Sequence, residues 1–283
     1  MIHTSRQLKA LVRNMSKGDG AKAQIIIRNY VMERFLERLS ISPYRNNLIL
    51  KGGILISAMV GLDNRSTMDV DATVKNQQLS PERARIIVEE ITSVELDDNM
   101  IFEIKSASVI MEESDYAGVR VMLDTTLEAM RTPLQIDFSI GDVITPAEVS
   151  YSFKLMFEDR SISILAYNLE TALAEKLETL LSRGTASTRM RDFYDIYILE
   201  SLQAHNIDET ILRAALANTC TKRGSTAVVD SAGLTLSEIQ TNLDMLNLWR
   251  NYQHKFDYAA DIGWDEVMQA VRKLCISAGL KVM

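Results

Sequence analysis

LKGG at residues 50–53, followed by RSTMDVD at residues 65–71, carries most of the information on the fold. The apolar residues just before the glycine pair predict a buried strand that stops at the glycines, and the residues after them predict a short helix. The second segment predicts another strand. Because residues two apart in a strand face the same side of a sheet, Asp69 and Asp71 are expected to project together.

The paired aspartates predict a metal–nucleotide site. Two adjacent carboxylates repel each other unless a cation or a proton lies between them, and Mg²⁺ prefers such oxygen ligands. Gly52 and Gly53 would let the backbone approach a triphosphate closely, and the helix that follows would offer its N-terminal amides to the phosphates. The alternative is a plain turn followed by an exposed strand that carries two surface aspartates.

A third carboxylate is expected from the strand LQIDFSI at residues 134–140. Its apolar residues alternate with Gln135, Asp137 and Ser139, so Asp137 lies on the open face, where it could complete the acidic site. A solvated surface aspartate is the alternative. Two further strands, over residues 102–111 and 116–127, are predicted to be joined by a polar turn.

Helical periodicity dominates from Leu169 onward, which places a domain boundary after residue 166. Within the first of these helices, Lys176 lies beside an apolar stripe, where an ammonium is unfavourable unless an anion pairs with it. A triphosphate or an acidic cluster would be such an anion. The alternative is a lysine whose stem follows the stripe while its head stays in water.

The segment RDFYD at residues 191–195 begins the next helix and places Asp192 and Asp195 on one face. Carboxylates near a helix start are stabilised by the helix dipole, and Arg189 could pair with Asp192, so both can be explained structurally. Residues 182–189 form a basic link that is either a mobile loop over phosphates or a solvated connection. The basic turn TKRGS at residues 221–225 could contact an RNA backbone or serve no partner.

Composition narrows the class of protein. The 283 residues are enough for one large or two modest domains, and no apolar run approaches the length of about 20 residues that a bilayer requires. The N-terminal residues lack a secretion signal, and the two cysteines form no CxxC motif, so we expect a cytoplasmic protein with reduced thiols. The net charge of -7 argues against broad nucleic-acid affinity, although it leaves room for a local basic rim.

Five short segments, in this order along the chain, resemble the AbiEii/AbiGii toxin family of nucleotidyltransferases, which has a DNA-polymerase-β-type fold. The segments are SPYR at 42–45, LKGG at 50–53, RSTMDVD at 65–71, AEKL at 174–177 and RDFYD at 191–195. The resemblance implies an α+β protein with a nucleotidyltransferase-type mixed β-sheet and flanking helices, followed by a helical C-terminal domain. The expected domains are 1–166, with the N-terminal helices, and 167–283, which would complete the active-site cleft.

The resemblance also implies an activity. A nucleoside monophosphate would pass from an NTP to an RNA acceptor, with the 3′ end of tRNA as the expected acceptor and Mg²⁺ as the cofactor. The enzyme would act as the toxin of a toxin–antitoxin or phage-defence system and would be restrained by a cognate antitoxin. No membrane partner is expected.

The same resemblance assigns roles to single residues. Asp69 and Asp71 would bind the metal, Lys176 would contact the NTP phosphates, and Asp192 would be catalytic together with Lys176. Asp137 would act as a third carboxylate, as a metal ligand or a base. Gly52 and Gly53 would approach the NTP.

Arg65, just before the paired aspartates, is a second expected phosphate contact. Alternatively, Arg65 is a structural arginine that forms a salt bridge with an acidic neighbour.

Two other functions remain open at this level. One is a kinase-like phosphotransferase on the same fold, which would transfer the γ-phosphate of the NTP. The other is a nucleotide-binding regulator without turnover. Gly53 stands where the wider superfamily often has serine, which keeps the regulator open.

Overall fold

The computed structural model describes residues 1–75, 78–111 and 117–282. The chain forms two compact units, and each takes up segments from both halves of the sequence. Unit 1 consists of Met1–Ala58, Ser66–Asp142 and Val149–Ala166. Unit 2 consists of Met59–Arg65, Val143–Glu148 and Tyr167–Met283. The division of the chain into domains at residues 166 and 167 stays a prediction.

Unit 1 is built on a seven-stranded mixed sheet with the strand order β3-β4-β5-β2-β1-β7-β6. Its strands are β1 (Leu48–Lys51), β2 (Asp69–Val74), β3 (Met100–Met111), β4 (Ala117–Leu127), β5 (Met130–Ile140), β6 (Val149–Lys154) and β7 (Ser161–Ala166). The central strand β2 pairs antiparallel with β1 and parallel with β5, so the sheet is mixed at the point where the paired aspartates begin. This architecture confirms the predicted α+β fold.

The helices of unit 1 include the predicted short helix after the glycine pair. They are α1 (Ser5–Ser16), α2 (Gly20–Ile41), α3 (Gly52–Val60), whose last two residues belong to unit 2, and α4 (Pro81–Thr92). Ser80 caps α4 by accepting a hydrogen bond from the Arg83 amide, and Pro81 occupies the first turn, as its fixed φ angle favours. The turn predicted at residues 112–115, between β3 and β4, lies outside the described residues.

Helix α2 contains several buried charged side chains. Its residues from Asn29 to Leu39 are buried, including the side chains of Glu33, Arg34 and Glu37. Arg34 binds Glu37 at 2.8 Å and Glu158, which precedes β7, at 3.1 Å. Pairing of this kind is what makes buried charge tolerable in a protein interior.

Unit 2 is helical. Its helices are α5 (Leu169–Arg183), α6 (Met190–Gln203), α7 (Glu209–Arg223), α8 (Thr226–Asp230), α9 (Ala232–Thr241), α10 (Leu243–Lys255) and α11 (Trp264–Ser277). Asn168 caps α5 through the Thr171 amide, and Gly224 ends α7 at φ +66°, a left-handed conformation that suits glycine. Trp264 joins the core through ring contacts with Phe193 and Trp249. Among the described residues, no helix combines the length and the apolar character needed to cross a bilayer.

Candidate functional site

The glycine pair sits directly against the second of the paired aspartates. Gly52 has φ +66°, and a Cβ atom added there would lie 2.1 Å from the Asp71 Oδ2 atom. A side chain at this position would therefore meet both backbone strain and a steric clash. The Gly53 amide, one residue on, donates a hydrogen bond of 3.4 Å to the same oxygen. The glycines thus allow the start of α3 to approach a carboxylate.

Four charged residues form a row across the middle of the sheet of unit 1. Asp71 is paired in register with Lys51 of β1 on one side and with Asp137 of β5 on the other. Asp137 is in turn paired with Arg120 of β4. Side chains at paired positions project from the same face, so the row places two carboxylates between two cations. Asp69 lies two residues before Asp71 and shares this face.

The structure brings the three predicted carboxylates together. Oxygen atoms of Asp69, Asp71 and Asp137 all lie within 4.8 Å of one another. Burial and the neighbouring Asp69 carboxylate raise the pKa of Asp71 to about 7, an effect that Lys51 partly offsets. The ionised form of Asp71 is therefore less favourable here than in water.

Asp69 and Asp137, like Asp71, accept hydrogen bonds from neighbouring groups. The Thr67 hydroxyl donates to Asp69 Oδ1 at 2.7 Å. Arg120 donates to both oxygens of Asp137, from Nε at 2.8 Å and from Nη2 at 2.7 Å, and Gln135 donates to Oδ2 at 3.1 Å. The carboxylates are therefore held in place before any ligand arrives.

The donor set fits a hard divalent cation. Three carboxylates supply only oxygen ligands, which Mg²⁺, Mn²⁺ and Ca²⁺ prefer to nitrogen or sulfur. A cation bound there would also lie beside Asp71, whose pKa is raised first by burial and then by the Asp69 carboxylate.

A second charged network lies in unit 2, on facing helices α5 and α6. The Lys176 ammonium binds Asp192 Oδ1 at 2.8 Å and Asp195 Oδ2 at 2.7 Å. Arg189 adds a 2.7 Å contact to Asp192, and Arg65 binds Asp195 through Nε at 2.6 Å. Two carboxylates and three cations are therefore connected in one chain of ion pairs.

The pairing accounts for the protonation of this network. Burial opposes the charge of Asp192, but Lys176 and Arg189 more than offset it and hold the pKa of this carboxyl at about 2. Burial likewise opposes the charge on Lys176, yet Asp192 and Asp195 raise its pKa above the ordinary value. Arg65 and Lys176 likewise lower the pKa of Asp195 despite its burial.

Lys176 is the residue that sequence reasoning located with an anion still to be identified. Its side chain is only 14% exposed and its ammonium is bound by two aspartates, so an acidic cluster supplies the anion. The alternative, in which the Lys176 ammonium stays in water, therefore does not apply. The predicted pairing of Arg189 with Asp192 is present.

Arg65 forms a salt bridge with an acidic residue, which was the structural alternative for it. Its guanidinium is 1% exposed and binds Asp195, which is fully buried. Its expected contact with NTP phosphates stays a prediction that this geometry does not support. Asp195 binds both Arg65 and Lys176. Arg65 lies 130 positions before it in the sequence.

Arg120 and Lys51 are the site residues that sequence reasoning missed. Arg120 is a single charge between Val119 and Val121 on a strand, which is a weak signal without the register of its neighbours. Lys51 precedes the glycine pair and binds Asp142 at 2.7 Å.

The basic turn expected at residues 221–225 lies at the C-terminal end of helix α7. Its first three residues complete the last turn of α7, where Arg223 binds Glu178 at 2.5 Å and Thr179 at 2.9 Å. Arg223 thus serves contacts within unit 2.

Comparisons with known proteins identify the family. The family of nucleotidyl transferase AbiEii toxins of type IV toxin–antitoxin systems matches residues 34–270. A structure described as a candidate nucleotidyltransferase from H. pylori is 14% identical, covers 90% of this chain and 94% of its own, and gives a TM-score of 0.50. JHP933 from Helicobacter pylori is 15% identical, with coverage of 90% and 91% and a TM-score of 0.50. The search of curated proteins gave no match.

Proposed function

The chain belongs to the AbiEii family of nucleotidyl transferase toxins of type IV toxin–antitoxin systems, and we propose that it transfers a nucleoside monophosphate from an NTP to an RNA acceptor. The family implies an NTP substrate and an antitoxin partner. The finer parts of the proposal are Mg²⁺ as the cation, the 3′ end of tRNA as the acceptor, and a cytoplasmic location. A role in phage defence is also part of the proposal.

The observation that carries the proposal is the acidic cluster beside the glycine turn. Asp69, Asp71 and Asp137 present oxygen ligands within 4.8 Å of one another, and the first turn of α3 begins next to them. A bound Mg²⁺ would neutralise phosphate charge and lower the pKa of the attacking hydroxyl. The glycines at the start of α3 would let phosphate oxygens approach the backbone closely.

The residues have distinct roles in this proposal. Asp69 and Asp71 would hold the cation, and Asp137 would either complete the ligand set or accept the proton of the acceptor hydroxyl. Phosphoryl and nucleotidyl transfer depend mainly on positioning and charge neutralisation, so few other groups are required. Lys176 neutralises NTP phosphates, and Asp192 orients its ammonium through their 2.8 Å contact.

The decisive experiment determines whether the α- or the γ-phosphate of the NTP reaches the acceptor. Purified protein is incubated with total RNA and Mg²⁺, separately with each α-labelled NTP and with the matching γ-labelled NTP. Nucleotidyl transfer puts the α-label on RNA and leaves the γ-label in pyrophosphate. Transfer of the γ-label to any acceptor would favour the kinase-like alternative, and no transfer of either label would favour a regulator without turnover.

The toxin role is tested in cells. Expression of the chain alone should arrest growth, and co-expression of the antitoxin encoded beside it should relieve the arrest. The Asp71→Asn variant, expressed at the same level, should be harmless. Unimpaired growth with active protein would remove the toxin role and leave the transferase activity standing.

A further inference from the structure

Arg120 occupies the position next to the acidic cluster in the row across the sheet. Its register partner on β5 is Asp137, which is itself paired with Asp71 on β2. The guanidinium therefore lies on the carboxylate face of three adjacent strands. The apolar neighbours Val119 and Val121 are buried and point to the other side, so the charge of Arg120 is directed at the cluster.

The contact between Arg120 and Asp137 uses both oxygens of the carboxylate. Nε binds Oδ1 at 2.8 Å and Nη2 binds Oδ2 at 2.7 Å, which is the two-point geometry that arginine forms with carboxylates. Gln135 adds a third donor on Oδ2. A cation that takes Asp137 as a ligand must compete with this arginine for the same oxygens.

The two partners differ in exposure. The Asp137 side chain is 10% exposed, whereas that of Arg120 is 38% exposed. An arginine at the rim is rehydrated when it withdraws, whereas the carboxylate is fixed on the central part of the sheet. Exchange of the arginine for another cation is therefore feasible without rearrangement of the strands.

We propose that Arg120 is a positioning residue that holds Asp137 while no metal is bound and competes with the metal for it, so that the cluster binds a divalent cation weakly until an NTP arrives. When the NTP binds, its triphosphate forms an ion pair with Arg120, and Asp137 becomes available to the cation. This proposal rests on the proposed metal site. It adds an order of events, in which the cation is retained together with the nucleotide.

The test measures Mn²⁺ binding to the full-length protein without nucleotide, by electron paramagnetic resonance of free Mn²⁺. Arg120→Gln removes the competing charge and should tighten binding by roughly tenfold or more, as expected for one unit charge at close range. Arg120→Lys keeps the charge but loses the two-point contact, and should give an intermediate Kd. Arg131→Gln is the matched control, because this exposed arginine lies six residues before Asp137 on β5, at roughly 20 Å.

Each outcome decides something. Tighter binding in Arg120→Gln, with Arg131→Gln unchanged, supports the competition. Unchanged or weaker binding in a folded Arg120→Gln overturns it, and if that variant does not fold, Arg120→Lys binding no tighter than the wild-type protein does the same.

Asp71→Asn separates this proposal from the metal site. Wild-type protein that binds Mn²⁺, with Asp71→Asn that does not, supports the site whatever Arg120 does. If wild-type protein and both Arg120 variants all fail to bind Mn²⁺, the metal site and the competition are overturned together.

Discussion

The acidic cluster of unit 1 and the ion-pair network of unit 2 solve the problem of buried charge in opposite ways. On the sheet, Asp69, Asp71 and Asp137 face one another, and the pKa of Asp71 rises to about 7 through burial and the nearby Asp69. On the helices, Asp192 and Asp195 alternate with cations, and the pKa of Asp192 falls to about 2 despite burial.

The contrast separates a cluster of three adjacent carboxylates, with cations only at its edges, from a network in which carboxylates and cations alternate. Like charges held together lower stability unless a ligand compensates, which is typical of functional sites. A network in which each carboxylate binds two cations is self-sufficient, and breaking it should cost folding free energy. The two regions should therefore respond to the same kind of substitution with changes of opposite sign.

The largest effect is expected at the acidic cluster. Asp71→Asn keeps the shape of the side chain but removes its charge, so transfer of α-label to RNA should fall by roughly 10³-fold or more, because charge neutralisation carries most of such catalysis. The control is Asp97→Asn, whose side chain is 90% exposed. Retention of wild-type transfer in Asp71→Asn would remove this residue from the site.

The largest stability effect is expected in unit 2. Asp195→Ala removes the fully buried carboxylate that binds both Arg65 and Lys176, and should lower the free energy of unfolding by about 3–5 kcal/mol. Urea titration measures this change. Asp261→Ala, an exposed position of the same unit, should stay within about 0.5 kcal/mol of the wild-type protein. A small cost for Asp195→Ala would show that the network does not stabilise the fold.

Lys176 tests whether the complete network also serves the reaction. If Lys176 contacts the NTP phosphates as proposed, Lys176→Ala should reduce transfer by roughly 10²-fold and raise the KM for NTP. The variant should also lose stability, so activity is compared per folded molecule at low temperature. Lys273→Ala is matched to it, since Lys273 binds the buried Glu200 at 2.8 Å. Equal activity losses in the two variants would mean that the role of Lys176 is structural.

The ion-pair network of unit 2 should lose stability in acid, over a pH range set by the pKa of Asp192. Because the pKa of Asp192 lies below its unfolded value, its ionised form adds stability that is fully present above pH 4 and is lost as pH falls towards 2. This contribution is on the order of 2 kcal/mol. The stability difference between wild-type protein and Asp192→Asn should thus be constant from pH 5 to 8 and shrink below pH 4. A difference that changes between pH 5 and 8 would contradict the assignment.

The smallest effect has the opposite sign. In EDTA, Asp71→Asn should raise the free energy of unfolding by about 1 kcal/mol, because it removes one of three repelling carboxylates. Added Mg²⁺ should stabilise the wild-type protein and leave the variant unchanged. Thermal unfolding with and without Mg²⁺ measures both. Destabilisation of the metal-free variant would show that Asp71 is a structural carboxylate.

Much of this molecule could be read from local sequence pattern. The alternation around Asp69 and Asp71 and around Asp137 predicted strands with carboxylates on an open face, and the three residues do lie together. The resemblance of five short segments to the AbiEii family is confirmed by the match over residues 34–270. Periodicity identifies such features because the repeat of a strand or helix depends on near neighbours.

The same local reasoning could not assign partners to charges. Helix α2 shows why, because Glu33, Arg34 and Glu37 are buried there although charged side chains ordinarily stay in water. Arg34 is tolerated because Glu158 reaches it from 124 positions away. Nothing near Arg34 in the sequence announces that contact.

The sequence by itself determined the kind of sheet, the family and the three carboxylates. These follow from the alternation of apolar and polar residues and from motifs in a fixed order. Only the tertiary structure decided that Arg120 binds Asp137 and that Arg65 binds Asp195. Both pairs depend on how separate elements are placed against one another, by strand register in the first case and across 130 positions of chain in the second. An ionisable side chain takes its function from the charges around it, and those charges are brought together only when the chain folds.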